Sequence, residues 1–117
     1  MKKIIIVGFL FTFLPTITMA QKHAPRTYEK KIVQGIYPEG STRLLRETDV
    51  NGLTSWDLKV MRNEIFARHG YIFKTAEMAT YFSQKSWYTT RYDDVTILLS
   101  SIEKKNVEFI KRYECKK

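Results

Sequence analysis

Cysteine and histidine are scarce in this chain: one cysteine, Cys115, and two histidines, His23 and His69, among 117 residues. A lone thiol cannot close an internal disulfide, so the fold has to rest on its apolar core. Cys115 can link two chains, but a spectator thiol on a frayed end is the preferred reading. His23 lies in an irregular N-terminal stretch, so a two-histidine metal site is not expected. Glycine-rich phosphate loops are absent, and no Cys-His or Ser-His-acid set can be specified. Glu64 and Glu103 are the conceivable carboxylate pair, yet each has a simpler helical role. We therefore expect no catalytic residue, no metal and no cofactor.

Acidic residues are also few. Twelve Asp and Glu face twenty Lys and Arg, giving a formal net charge of +8. That excess fits anionic partners such as cell-wall polymers, phosphorylated glycans, lipid headgroups or acidic proteins, or it serves solubility alone. The longest apolar run, Ile4 to Leu14, is too short to span a bilayer, where about twenty residues are needed, so no transmembrane span is expected. It follows Lys2-Lys3 and precedes Thr18-Met19-Ala20, the layout of a signal peptide cleaved after Ala20. Gln21 follows, so no lipid anchor is expected. Export to the periplasm or beyond the cell is expected, and it argues against nucleic acid as a target. Removing the first twenty of 117 residues leaves 97 and, with Lys2 and Lys3 gone, lowers the charge from +8 to +6. That is enough for one modestly stable domain.

Residues 21–40 carry His23, Arg26, Lys30 and Lys31 among Pro25, Gly35, Pro38 and Gly40, and read as a basic, irregular arm. Ile32, Val33, Ile36 and Tyr37 are a short strand candidate without an obvious mate. Residues 41–115 form the domain proper, beginning with a docked turn or short helix that ends at Asn51-Gly52. Thr54 and Asp57 cap a first principal helix, Leu58, Met61 and Ile65 follow at helical spacing, and Gly70 sits where a left-handed residue ends it. Thr75 opens a second helix over about 76–84, with Met78, Tyr81 and Phe82 inward. Asp93-Asp94 marks a turn. Ser100 and Glu103 form a capping box for a third helix running to about Glu114, whose apolar face is Ile102, Val107, Phe109, Ile110 and Tyr113. The expected fold is mainly α, a small single domain of about three helices with an irregular N-terminal arm.

The helix end around residues 61–73 is the densest polar stretch. Phe66-Ala67-Arg68-His69-Gly70 resembles the motif of the bacterial YARHG domain, with Phe for the leading Tyr. Leu58, Met61-Arg62-Asn63-Glu64-Ile65, Tyr71-Ile72-Phe73, Tyr81-Phe82, Trp87-Tyr88 and Leu99 to Val107 extend the likeness over about residues 41–114. The resemblance implies an extracellular module without an established reaction.

Two readings of this stretch stand. In one, Glu64 pairs with Arg68 within the helix, worth about 0.3–0.5 kcal/mol if exposed, and Arg68 or His69 binds loop carbonyls to stop the helix. In the other, Arg62, Asn63, Glu64, Arg68, His69 and Tyr71 clamp an anion or glycan. Seven aromatics between Tyr71 and Tyr92 serve mainly as core, with Phe73, Tyr81, Phe82 and Trp87 expected inside. Trp87 and Tyr88 double as a candidate platform for a sugar or a partner. The expected function is a noncatalytic exported module binding peptidoglycan or another anionic envelope glycan. The alternatives are an adaptor docking on an exported protein and a small hydrolase.

Overall fold

The computed structural model describes residues 32–117. Four helices follow in order: α1 (Glu47–Val50), α2 (Ser55–Arg68), α3 (Ala76–Ser83) and α4 (Ser101–Glu114), with 3-10 turns at Pro38–Ser41 and Thr96–Leu98. Among the described residues there is no strand, only an isolated parallel bridge between Tyr71 and Tyr92. The domain is all-helical, with α2, α3 and α4 as its principal elements.

The two long helices begin where local chemistry places them. The Thr54 hydroxyl accepts from the Asp57 N–H at 3.1 Å while the Thr54 N–H donates to the Asp57 carboxylate at 3.0 Å. Ser100 and Glu103 repeat the exchange at 3.1 and 3.0 Å. Each box satisfies N–H groups that a helix start leaves without intrahelical partners. The end of α2 is a Schellman motif. Gly70 N–H donates to Ala67 O at 2.9 Å and Tyr71 N–H to Phe66 O at 3.2 Å, with Gly70 at φ +84°. The Tyr71 ring returns to within 6.0 Å of Phe66, the apolar contact that accompanies the motif. A side chain at position 70 would also press on Arg91, whose Cβ would lie 2.8 Å from the added Cβ.

α2 pairs with α4, and the 38–41 turn packs on both. Leu58, Met61 and Ile65 of α2 meet Val107 and Ile110 of α4, with Leu45, Val50, Val95 and Leu99 completing this core. Each fully buried aliphatic side chain contributes about 2 kcal/mol of transfer energy before entropy is subtracted. A second cluster, Ala67, Phe73, Met78 and Phe82, lies under α3, and Phe66 and Tyr71 are packed against both. Phe73 and Phe82 are buried as expected, their rings stacked at 4.8 Å, while Tyr81 and Trp87 are only partly buried. In α4, Ile102, Phe109 and Tyr113 are partly exposed, and the inward face carries Glu103 and Asn106 beside Val107 and Ile110. Ile32 and Ile36 project into solvent rather than pairing as a strand.

Asn106 fastens the chain before α1 to α4. Its Oδ1 accepts from Leu45 N–H at 2.9 Å, and its Nδ2 donates to the carbonyls of Gly40 at 2.8 Å and Arg43 at 2.7 Å. Three backbone groups of an irregular segment thus depend on one buried side chain. Asn106→Ala leaves all three without partners and should cost about 3 kcal/mol, as much as emptying a core position. Urea denaturation of the variant beside Ile110→Ala checks this; a loss below about 1 kcal/mol would refute the role given to Asn106.

Candidate functional site

The polar run of α2 divides into two sets facing different ways. The first faces the lead-in segment, residues 34–41. Glu64, almost fully buried, accepts from Ile36 N–H at 2.7 Å and from Tyr37 N–H at 2.8 Å. Arg68 donates to the carbonyls of Gln34 at 2.5 Å and Tyr37 at 2.8 Å, and to the Ser41 hydroxyl at 2.8 Å. Its guanidinium lies 3.7 Å from the Glu64 carboxylate. The expected Glu64–Arg68 pair is present and buried. Its principal partners are backbone groups some thirty residues upstream rather than each other. Gly35 makes this approach possible: at φ +108°, any Cβ there would collide with the Glu64 carboxylate.

His69 continues the network. Its Nε2 lies 2.9 and 3.1 Å from the two oxygens of Glu103, and Ser41 donates to the same carboxylate at 2.9 Å. Serine and histidine share one carboxylate and do not bond to each other, so they do not form a nucleophile–base pair. Burial raises the Glu64 pKa, and the Ile36 and Tyr37 N–H groups and Arg68 only partly offset it. For Glu103, burial is outweighed by bonds from the Ser100 N–H, His69 and Ser41, and the pKa is lowered.

The second set faces an open groove. Arg62, Asn63, Phe66, Tyr71 and Lys74 line a hollow of about 420 Å³ with Asp93, Asp94 and Thr96. A hollow of about 240 Å³ adjoins it, sharing Arg62, Asn63, Tyr71 and Lys74 and adding Lys59 and Glu77. Arg62 is held by Glu114 through bonds of 2.6 and 3.1 Å, and Lys59 by Glu77 at 3.0 Å. Lys74 makes no ion pair among the described residues. Asn63 donates to Lys59 O at 2.8 Å. Asp94 is fixed by bonds from the Thr96 hydroxyl and N–H, which lower its pKa.

Of the eight sequence-selected residues, the structure thus gathers Arg62, Asn63 and Tyr71 into one groove, turns Glu64 and Arg68 towards the lead-in and His69 towards Glu103 of α4. Trp87 and Tyr88 pack on the second cluster. The Trp87 ring meets Phe82 edge-on at 6.1 Å, and the Tyr88 hydroxyl donates to Tyr71 O at 2.6 Å. Sequence reasoning passed over Lys74 and Trp56. Trp56 is 41% exposed, with Tyr81 edge-on at 5.5 Å. Its signal was the spacing Trp56, Lys59, Asn63, which places all three on one face of α2.

A family profile described as the YARHG domain matches residues 33–115, well over half of the chain. The chain belongs to the YARHG domain family. The match takes in residues 33–40, which sequence pattern alone assigned to the arm; Glu64 and Arg68 of the motif helix bind this segment. In this YARHG domain the signature Phe66-Ala67-Arg68-His69-Gly70 supplies a Schellman stop and two side chains of the buried network. No curated protein and no solved structure matches the chain. Among the described residues, no group of three His, Cys, Asp or Glu side chains is placed to hold a metal, and no helix is long and apolar enough to cross a membrane. The expected signal peptide and the basic stretch 21–31 lie outside the described residues.

Two outcomes test the network. Gly35→Ala forces the lead-in off α2 and should cost about 2 kcal/mol or more, with new protease cleavage between residues 33 and 42. Unchanged cleavage would contradict the clamp. Because the folded Glu103 pKa lies below its ordinary 4.5, its stabilisation is complete at neutral pH and is lost as pH falls below that value. Glu64 acts oppositely: with its pKa raised, the folded state gains stability as pH falls through the folded pKa towards the ordinary 4.5. Glu103→Gln should therefore lower stability near neutrality and flatten the acid limb, whereas Glu64→Gln should steepen it. Denaturant midpoints at about pH 7 and about pH 4 provide the comparison.

Proposed function

We propose that this YARHG domain is a noncatalytic, exported module that binds a cell-envelope glycan bearing carboxylates, with peptidoglycan the leading candidate. The ligand lies along the face of α2 that carries the exposed Trp56 and the partly exposed Lys59, and reaches the groove lined by Asn63, Tyr71 and Lys74. The observation that carries this reading is the combination in that groove of an unpaired Lys74, polar Asn63, Asp93 and Asp94, and a partly exposed tyrosine.

Sugars require an apolar face for the ring and fixed polar groups for the hydroxyls and amides. Trp56 and Tyr71 supply the former, and Asn63 and Asp94 the latter, while Lys74 receives a carboxylate. Aspartates beside the lysine disfavour a densely charged polyanion and favour a strand with scattered charges of both signs. Export rests on the segment Lys2 to Ala20, and the net charge of +6 left after its removal assists encounter with an anionic wall. Arg68 and His69 support the ligand surface from behind, by holding the end of α2, and do not touch the ligand.

Co-sedimentation with isolated cell-wall sacculi is the direct test. The purified protein should pellet at low salt and partly release at high salt. Trp56→Ala and Lys74→Ala, both at exposed positions, should each weaken binding roughly tenfold while leaving the circular-dichroism spectrum unchanged. A protein that stays in the supernatant at every salt concentration would overturn the proposal. Wall binding untouched by both substitutions would remove the ligand from this groove.

A further inference from the structure

A second surface, sharing no residue with the groove, runs along α4. Two adjoining hollows of about 490 and 510 Å³ both include Phe109 and Arg112, forming one furrow beside residues 44–47. Lys105, Phe109 and Arg112 fall at successive intervals of four and three residues, so they make a stripe about 10 Å long down α4 at 1.5 Å per residue, and Lys116 follows in the turn beyond the helix end. Opposite it stands Leu44, 53% exposed although apolar.

The charge of this furrow is predominantly positive: Lys104, Lys105, Arg112 and Lys116 line it against Glu47 and Glu108. The four cations make no ion pair among the described residues, and Glu108 is paired with Lys111 at 3.4 Å. Arg112 lies 5.6 Å above the Phe109 ring and Lys116 5.0 Å above that of Tyr113, so cations stand over the aromatic faces.

We infer that the α4 furrow docks an acidic amphipathic peptide segment of a partner protein, seating an apolar side chain between Leu44 and Phe109 while its carboxylates meet the flanking cations. Charge complementarity selects this occupant. A second copy of the mature chain carries the same net charge of +6 and is repelled. The chain's own segment 21–31 holds Lys22, Arg26, Lys30 and Lys31 against the single acid Glu29, so it is repelled as well. A helix or extended strand can lie lengthwise in the furrow and touch Leu44 and Phe109 along with the flanking cations. The arginine and the aromatic in the stripe are the side-chain types that anchor protein interfaces.

Cys115, exposed in the wall of the furrow, offers a position for a reporter. The full chain carrying a thiol-linked fluorophore at Cys115 would be titrated with a synthetic helical peptide bearing glutamate and leucine on opposite faces. The same peptide with lysine for glutamate, and phosphatidylglycerol vesicles, are the competitors. The acidic peptide should produce a saturable change that falls roughly tenfold in affinity with Arg112→Glu and less with Leu44→Ala. Trp56→Ala and Lys74→Ala should leave it unaltered, separating this surface from the glycan groove. The proposal is overturned by equal binding of the lysine peptide, by preference for the vesicles, by no response to the acidic peptide, or by an Arg112→Glu variant that binds as well as the parent.

Discussion

A carboxylate buried at the centre of the molecule sets the terms for most of this domain. Glu64 is 1% exposed and accepts from two consecutive backbone N–H groups of the lead-in segment. A charge removed from water costs several kcal/mol unless it is met by donors in good geometry. Meeting that requirement fixes much else. Residue 35 must be glycine to bring the backbone close enough. Arg68 must lie alongside, and it in turn holds the Gln34 and Tyr37 carbonyls and Ser41. Ser41 then reaches Glu103 on α4, where His69 also binds. Together with Asn106, this chain of contacts joins the lead-in, α2 and α4 into one unit, and no buried side-chain nitrogen or oxygen among the described residues lacks a partner.

The signature of the YARHG family acquires a physical meaning from this arrangement. Arg68, His69 and Gly70 occupy the end of α2, where a helix has carbonyls to satisfy and a direction to change. The glycine reverses the chain, and the two basic side chains attach that reversal to the lead-in and to α4. Three turns of one helix thus organise the domain on one side. The other side of the same helix presents Trp56 and part of Lys59 to solvent, with the largely buried Asn63 lining the groove. A rigid back and an accessible front on one element are what a binding surface requires, since a ligand then need not order the residues it meets.

Legibility from sequence followed the range of each interaction. The two capping boxes and the glycine stop were readable because donor, acceptor and backbone conformation lie within four residues of one another. The helix positions followed from them, as did the inward placement of Leu58, Met61, Ile65, Val107 and Ile110. Glu64 and Arg68 invited reading as an i,i+4 pair because that partner is the one visible from sequence. Their main partners lie 27 to 34 residues upstream, in a segment whose prolines and glycines disguise a docked strap as a loose arm. Asn106 escaped notice for the same reason, since a polar residue on an amphipathic helix reads as solvent-facing unless its distant backbone partners are known. Trp87, read both as core and as a platform, is partly covered by Phe82, and Trp56, to which the sequence reading gave no role, stands exposed.

Sequence by itself thus determined the class of fold, the starts and stops of its long helices, the family to which it belongs and the sign of its charge. Each depends on residues close in the chain or on composition summed over it. Tertiary structure alone decided which polar residues are buried to hold the lead-in and which face the groove. A helix shows every side chain to some direction, and only the packing of the lead-in segment and α4 against α2 determines which directions remain in water.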